Sequence, residues 1–314
     1  MKKKAIIISI KGTSLTKQEK ILLSREKPWG LILFKRNIKS FEQIKSLIKD
    51  VKRLVKDSKF PILIDEEGST VSRLKGIINH NFEANYFGKL YKLDKKIATT
   101  LYKNYLKILC DNLKNIGINI NTIPVLDVLR NNTNEVIGKR SFSKDKDIVK
   151  HLGKITVNEC HFNKIATVIK HIPGHGCSTI DSHQRMPKVN INIRELNAID
   201  FYPFKSSYSK LAMTAHILYS KIDNNNVSTF SKKIINEIIR KKIGFKGIIM
   251  SDDISMKALK YDLITNAKKS LLAGCNLVLY CAGNIKDNFK LIKSVPYIDQ
   301  FTAKKTSEIY KILR

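Results

Sequence analysis

Eight short apolar runs rich in β-branched residues recur along the chain, at residues 5–10, 30–34, 61–64, 118–125, 166–169, 211–214, 247–250 and 276–279. Stretches of helical period separate them, among them 40–55, 95–112, 147–160, 193–205, 230–242 and 262–273. Strands that are apolar throughout, with a helix after each, imply a parallel sheet covered on both faces, because a parallel strand is re-entered only through a crossover. Eight such units in 314 residues predict an α/β fold, a single (β/α)8 barrel domain spanning residues 1–314. A doubly wound open sheet is the alternative.

The residues after each run favour the barrel. Phe34 leads to Lys35 and Arg36, Ile64 to Asp65, Glu66 and Glu67, Val125 to Asp127, Ile169 to Lys170 and His171, Thr214 to His216, and Met250 to Ser251, Asp252 and Asp253. In a barrel these strand ends converge on one mouth, where such folds carry their chemistry. No GxGxxG follows the first strand and no GxxxxGK[ST] occurs, so a phosphate cradle is lacking. Three segments depart from the pattern. Residues 68–94 read as a long connection after the third strand, 130–145 as a polar loop after the fourth, and 172–192 as a Gly-, Pro- and His-rich loop after the fifth. Long loops at this face are commonly functional. The tail, 284–314, reads as amphipathic helix packed on the outside.

Lys and Arg exceed Asp and Glu by 58 − 27 = +31, which raises nucleic acid or an anionic membrane as a partner. The lysines are spread over the whole chain amid heavy use of Ile and Asn, and neither 92–96 nor 304–305 gathers them with aromatics. No specific nucleic-acid function is therefore expected. Five cysteines without a CxxC pair indicate neither a disulfide framework nor a zinc ribbon, and suit a reduced, cytoplasmic chain. The apolar run at 5–10 is shorter than the ~7–15 residues of a signal peptide, and no run approaches the ~18 of a membrane span, so membrane insertion is not expected.

Three constellations carry chemistry. In KHIPGHGCSTIDSH, residues 170–183, Asp181 stands two residues before His183, placed to fix an imidazole tautomer and raise its basicity, or simply to cap a turn. GFKGIIMSDDISM, residues 244–256, puts Asp252 and Asp253 at a strand end, as nucleophile candidates or as helix caps. LIDEEGSTVSRL, residues 63–74, sets Asp65 and Arg73 to grip hydroxyls, or to form a surface ion pair. Asp127, Arg140 and His216 belong to the same class.

Taken together these motifs resemble the bacterial β-N-acetylhexosaminidases of glycoside hydrolase family 3. The resemblance runs in order through GLILFKRN (30–37), DEEG with Arg73, PVLDV (124–128), GKRSF (138–142), KHIPGHG with DSH (170–183), TAHILYS (214–220) and SDDISM (251–256). It implies a retaining exo-β-N-acetylglucosaminidase that removes terminal N-acetylglucosamine from peptidoglycan fragments in cell-wall recycling. Asp252 would be the nucleophile, His183 the acid/base on a mobile loop after the fifth strand, and Asp181 its orienting partner. Asp65, Arg73, Arg140, Lys170 and His171 would bind the sugar. The resemblance implies a carbohydrate substrate, no cofactor, no metal and a monomer. Family members usually carry a second Gly and an Arg where this chain has Ser69 and Thr70. Two rival readings stand beside it: a metal-dependent barrel hydrolase built on His171, His175, His183, His216 and Asp252, although the first strand lacks the HxH such enzymes use, and a basic binding protein without catalysis.

Overall fold

The computed structural model describes residues 2–78, 81–182 and 184–314. The apolar runs form strands β1 (Lys4–Ile8), β2 (Pro28–Leu33), β3 (Ile62–Ile64), β4 (Ile120–Asn121), β5 (Ala166–Ile172), β6 (Leu211–Thr214), β7 (Ile248–Asp253) and β8 (Leu277–Leu279). They pair in parallel and in chain order, and β8 returns to β1, so the sheet closes into a barrel. The open-sheet alternative is thereby excluded.

Closure explains the sequence pattern. Successive side chains of a strand point to opposite faces. Ile7, Leu63, Ile120, Val168, Met213 and Leu279 pack together inside the barrel, while Ile6, Ile8, Ile62, Ile64, Ile169 and Val278 pack beneath the helices. Both faces are buried, so neither register has a polar alternative.

The surrounding helices follow from capped amphipathic segments. Helix α1 covers Lys17–Glu26 and α2 covers Phe41–Val55. Ser40 caps α2 by accepting from Gln43 N at 3.1 Å, and Ile44, Leu47, Ile48, Val51 and Val55 form its buried stripe. Helices α3 (Ala84–Leu93), α4 (Lys95–Ile116), α5 (Lys146–Phe162) and α6 (Ile193–Ala198) come next, then a π-type helix (Ile234–Lys242), α7 (Leu263–Ala273), α8 (Ile285–Ser294) and α9 (Gln300–Ile312).

Three expectations need correction. The connection 68–94 ends in helix α3, because Phe87 is buried against Tyr102 of α4, ring centroids 4.5 Å apart. The helix expected over 193–205 stops at Ala198, and a short turn containing Pro203 follows. The tail is two helices, and only α8 flanks the barrel wall. In α9, Ile309 joins the interior cluster and Thr306 Oγ1 accepts from Trp29 Nε1 at 2.8 Å, so α9 closes the end of the barrel opposite the mouth. Among the described residues no helix is long and apolar enough to cross a membrane.

Candidate active site

The C-terminal ends of the strands surround a cavity of about 330 Å³. Asp65 follows β3, Lys170 and His171 lie near the end of β5, and Asp252 is the penultimate residue of β7; Arg73 and Arg140 reach in from the loops after β3 and β4. Six of the eight residues expected at the site thus share one cavity. Asp181 sits half-buried in the loop after β5 and is not part of the cavity lining; its carbonyl accepts from Gln184 N and Arg185 N at 3.1 and 3.2 Å. His183 lies outside the described residues.

A continuous chain of ion pairs forms one wall. Arg73 Nη2 meets Asp65 Oδ2 at 3.0 Å. Lys170 Nζ lies 3.2 Å from Asp65 Oδ1, 2.6 Å from Glu67 Oε1 and 2.7 Å from Thr122 Oγ1, which also donates to Asp65. Arg140 grips Glu67 through two bonds of 2.7 and 2.9 Å. Burial opposes the charge on Asp65 and Glu67, but Lys170 and Arg73 hold Asp65 far below the ordinary carboxylate range, and Arg140 with Lys170 brings Glu67 down to about 2. Both carboxylates are therefore ionised at neutral pH, and each of the three cations is held by an ion pair. Such paired groups present acceptors and donors in fixed directions, which suits the vicinal hydroxyls of a sugar ring.

His171, His175 and His216 have definite structural work. Asp127 is buried, and although burial disfavours its charge, His171 and His175 lower it below the usual carboxylate value. It accepts from His171 Nδ1 at 2.7 Å, from His171 N at 3.2 Å and from His175 N at 2.6 Å. That fixes the orientation of the His171 ring, whose Nε2 lies 3.5 Å from Arg140 Nη2. Burial, followed by His171 and Arg140, lowers His175 to about 4. His216 is likewise neutral through burial; its Nε2 donates to the Asp253 carbonyl at 3.0 Å, and its Nδ1 accepts from Thr229 Oγ1 at 2.7 Å. This brace holds the backbone next to Asp252. Asp253 accepts from Ser255 N, Ser255 Oγ and Cys281 N at 3.1, 2.7 and 3.2 Å, and Asp252 Oδ1 accepts from Asp253 N at 2.8 Å. The two carboxylates therefore have separate tasks, Asp253 in the chain and Asp252 at the cavity. Among the described residues no group of His, Cys, Asp and Glu is arranged to hold a metal ion.

Ser69 and Thr70, the departures from the family pattern, both donate to Glu83 Oε1, at 2.7 and 2.6 Å. The loop after β3 is thus tied to the start of α3 by hydroxyls. Sequence reasoning missed Glu67 and Thr122 as site residues. Glu67 could have been found, since it lies two residues beyond Asp65 at a strand end; Thr122 gives no local signal.

Residues 3–306 match the N-terminal domain of glycosyl hydrolase family 3. The chain belongs to glycoside hydrolase family 3. Within it, the chain falls among the β-hexosaminidases and is a glycoside hydrolase. It is 32% identical over 308 residues to the β-hexosaminidase of Actinobacillus succinogenes, covering 94% of this chain and 87% of that one. To the β-hexosaminidase of Haemophilus influenzae it is 33% identical over 306 residues, covering 93% and 85%. The crystal structure of NagZ from Neisseria gonorrhoeae in complex with N-trifluoroacetyl-D-glucosamine superimposes with a TM-score of 0.89 at 30% identity, over 98% of this chain and 90% of that one. The closed barrel of this family 3 enzyme is the fold the sequence predicts.

Proposed function

We propose that this family 3 hydrolase is a retaining exo-β-N-acetylglucosaminidase, acting in the cytoplasm on N-acetylglucosaminyl-1,6-anhydromuramoyl peptides released in cell-wall recycling. The observation that carries the reading is the convergence of Asp252 with the Asp65–Lys170–Glu67–Arg140 chain on one cavity. The β-hexosaminidase relatives and the amino-sugar ligand of the Neisseria gonorrhoeae enzyme support it. Five free thiols suit a reducing compartment.

In the proposed mechanism Asp65, Arg73, Arg140, Lys170 and His171 hold the terminal sugar. The Asp252 carboxylate attacks the anomeric carbon as the bond to the aglycone oxygen breaks, and protonated His183, oriented by Asp181, gives its proton to that oxygen. A covalent glycosyl–Asp252 ester results. Water then attacks the same carbon, giving a proton to neutral His183 while the Asp252 carboxylate leaves. Two inversions leave the β configuration unchanged. Glycosidases commonly use two carboxyl groups; in this mechanism a histidine takes the second part, giving its proton in the first step and regaining one in the second.

The test is hydrolysis of 4-nitrophenyl β-N-acetylglucosaminide and of the anhydromuramoyl disaccharide peptide, with the product anomer read by NMR before mutarotation. β-Anomer from the wild type, with activity abolished in Asp252→Ala and strongly reduced in His183→Ala, is expected. An α-anomer product, or full activity in Asp252→Ala, refutes the mechanism; turnover of the aryl glycoside alone refutes the substrate.

A further inference from the structure

We infer that Thr133 and Asn134, in the loop after β4, are positioning residues for the proton-transfer step, fixing residues 176–179 of the chain that leads to Asp181. The inference rests on the assignment of His183 and Asp181 proposed above. Thr133 Oγ1 donates to Gly176 O at 2.5 Å and accepts from Arg130 N at 2.6 Å. Asn134 N donates to Ser178 O at 2.9 Å, and Asn134 Nδ2 donates to Thr179 O at 3.2 Å. Two consecutive residues thereby hold three carbonyls of the loop after β5, the last of them two positions before Asp181.

Asn134 also reaches the substrate side. Asn134 Oδ1 accepts from Val136 N at 2.9 Å. Val136 lines the cavity, and its carbonyl accepts from Arg140 Nη1 at 2.8 Å, the guanidinium that grips Glu67. One side-chain amide therefore connects the cavity wall to the chain leading to Asp181 and His183. Neither Thr133 nor Asn134 lines the cavity itself, so they act only through the groups they hold.

The held segment has little freedom to relax around a lost bond. A Cβ at Gly176 would stand 1.8 Å from Val128 O, so the backbone there already lies against the loop after β4. Ser178 Oγ closes a tight turn by donating to Ile180 O at 2.8 Å. A shift at 178–179 is therefore passed along the chain toward Asp181. A misplacement of about 1 Å in a reacting group can cost about 10²-fold in rate.

Proton donation matters in proportion to the basicity of the leaving oxygen. A 2,4-dinitrophenolate departs without help, whereas a sugar alkoxide needs the proton. Loss of positioning should therefore be selective. Asn134→Asp keeps the size and the acceptor for Val136 N but replaces the donor to Thr179 O; Thr133→Val removes the hydroxyl at nearly equal volume. The two variants break different bonds, so misfolding of one leaves the other informative.

The measurement is kcat/KM on the 2,4-dinitrophenyl glycoside and on a β-1,4-linked N-acetylglucosaminyl disaccharide, because kcat/KM reports the glycosylation step on both. We expect each variant to lose about 10-fold or more on the disaccharide and less than about 2-fold on the aryl glycoside. Equal losses on both substrates, or no loss, overturn the positioning role. His183→Ala is measured alongside: a selective loss there with none in Asn134→Asp and Thr133→Val rejects positioning alone, whereas equal losses in His183→Ala remove the acid/base assignment and this inference with it.

Discussion

Replacing Glu67 by Gln removes one buried charge at nearly constant shape. The Glu67 side chain is 5% exposed, and its carboxylate faces Arg140 and Lys170. Burial alone would raise its pKa; Arg140 and Lys170 instead lower it from 4.5 to about 2. At ~1.4 kcal/mol per tenfold, that depression corresponds to about 3 kcal/mol of native-state stability. The folded value lies below the unfolded one, so the contribution is complete above about pH 4.5 and is lost as the pH falls toward 2. With an unfolding entropy of ~2.1 cal/mol/K per residue, a chain of 314 residues should lose about 5 °C in Tm at pH 7 when Glu67 becomes Gln. The stability gap should shrink to about half by pH 3, because half of the stabilisation is then lost in the wild type. Thermal and urea unfolding at pH 7, 5, 4 and 3 supply the comparison. A Tm difference under about 1 °C at pH 7, or a gap that stays constant down to pH 3, refutes the claim that Arg140 and Lys170 overcome the burial of Glu67.

Two further substitutions test the supports of the site. Asp127→Asn leaves an amide where His171 Nδ1 and two backbone amides need a buried carboxylate; a loss of about 3–5 kcal/mol and a raised KM for the aryl glycoside are expected, and an unchanged KM would contradict the role of Asp127 in orienting His171. Gly176→Ala drives a methyl to within 1.8 Å of Val128 O unless the loop moves; with overpacking costing about 1–3 kcal/mol, the chain should still fold but lose most of its kcat, and wild-type kcat would show that the contact does not constrain the loop.

The local pattern made the barrel and most of the cavity legible. A strand buried on both faces is apolar at most of its positions, so the runs at 5–10, 61–64 and 247–250 announced themselves without reference to distant residues. A titratable residue just past such a run lies at the mouth by construction, which is why Asp65, Lys170, His171 and Asp252 were all found. The boundaries were less legible: the runs extend past the hydrogen-bonded strands, as at 118–125 against Ile120–Asn121. Ser69 and Thr70 read as departures until Glu83, thirteen to fourteen residues on, supplied their partner.

The order of strands and helices, the closed sheet and the identity of the mouth residues are fixed by periodicity and by the rule that parallel strands need crossovers, both properties of contiguous segments. The pairings that give those residues their charge states are not. Lys170 meets Asp65 across 105 positions of sequence and Arg140 meets Glu67 across 73, and α9 closes the barrel floor through a bond between Trp29 and Thr306. Such contacts depend on how the closed barrel brings its loops together, and Coulomb energy and burial act over distance in space, whatever the separation along the chain.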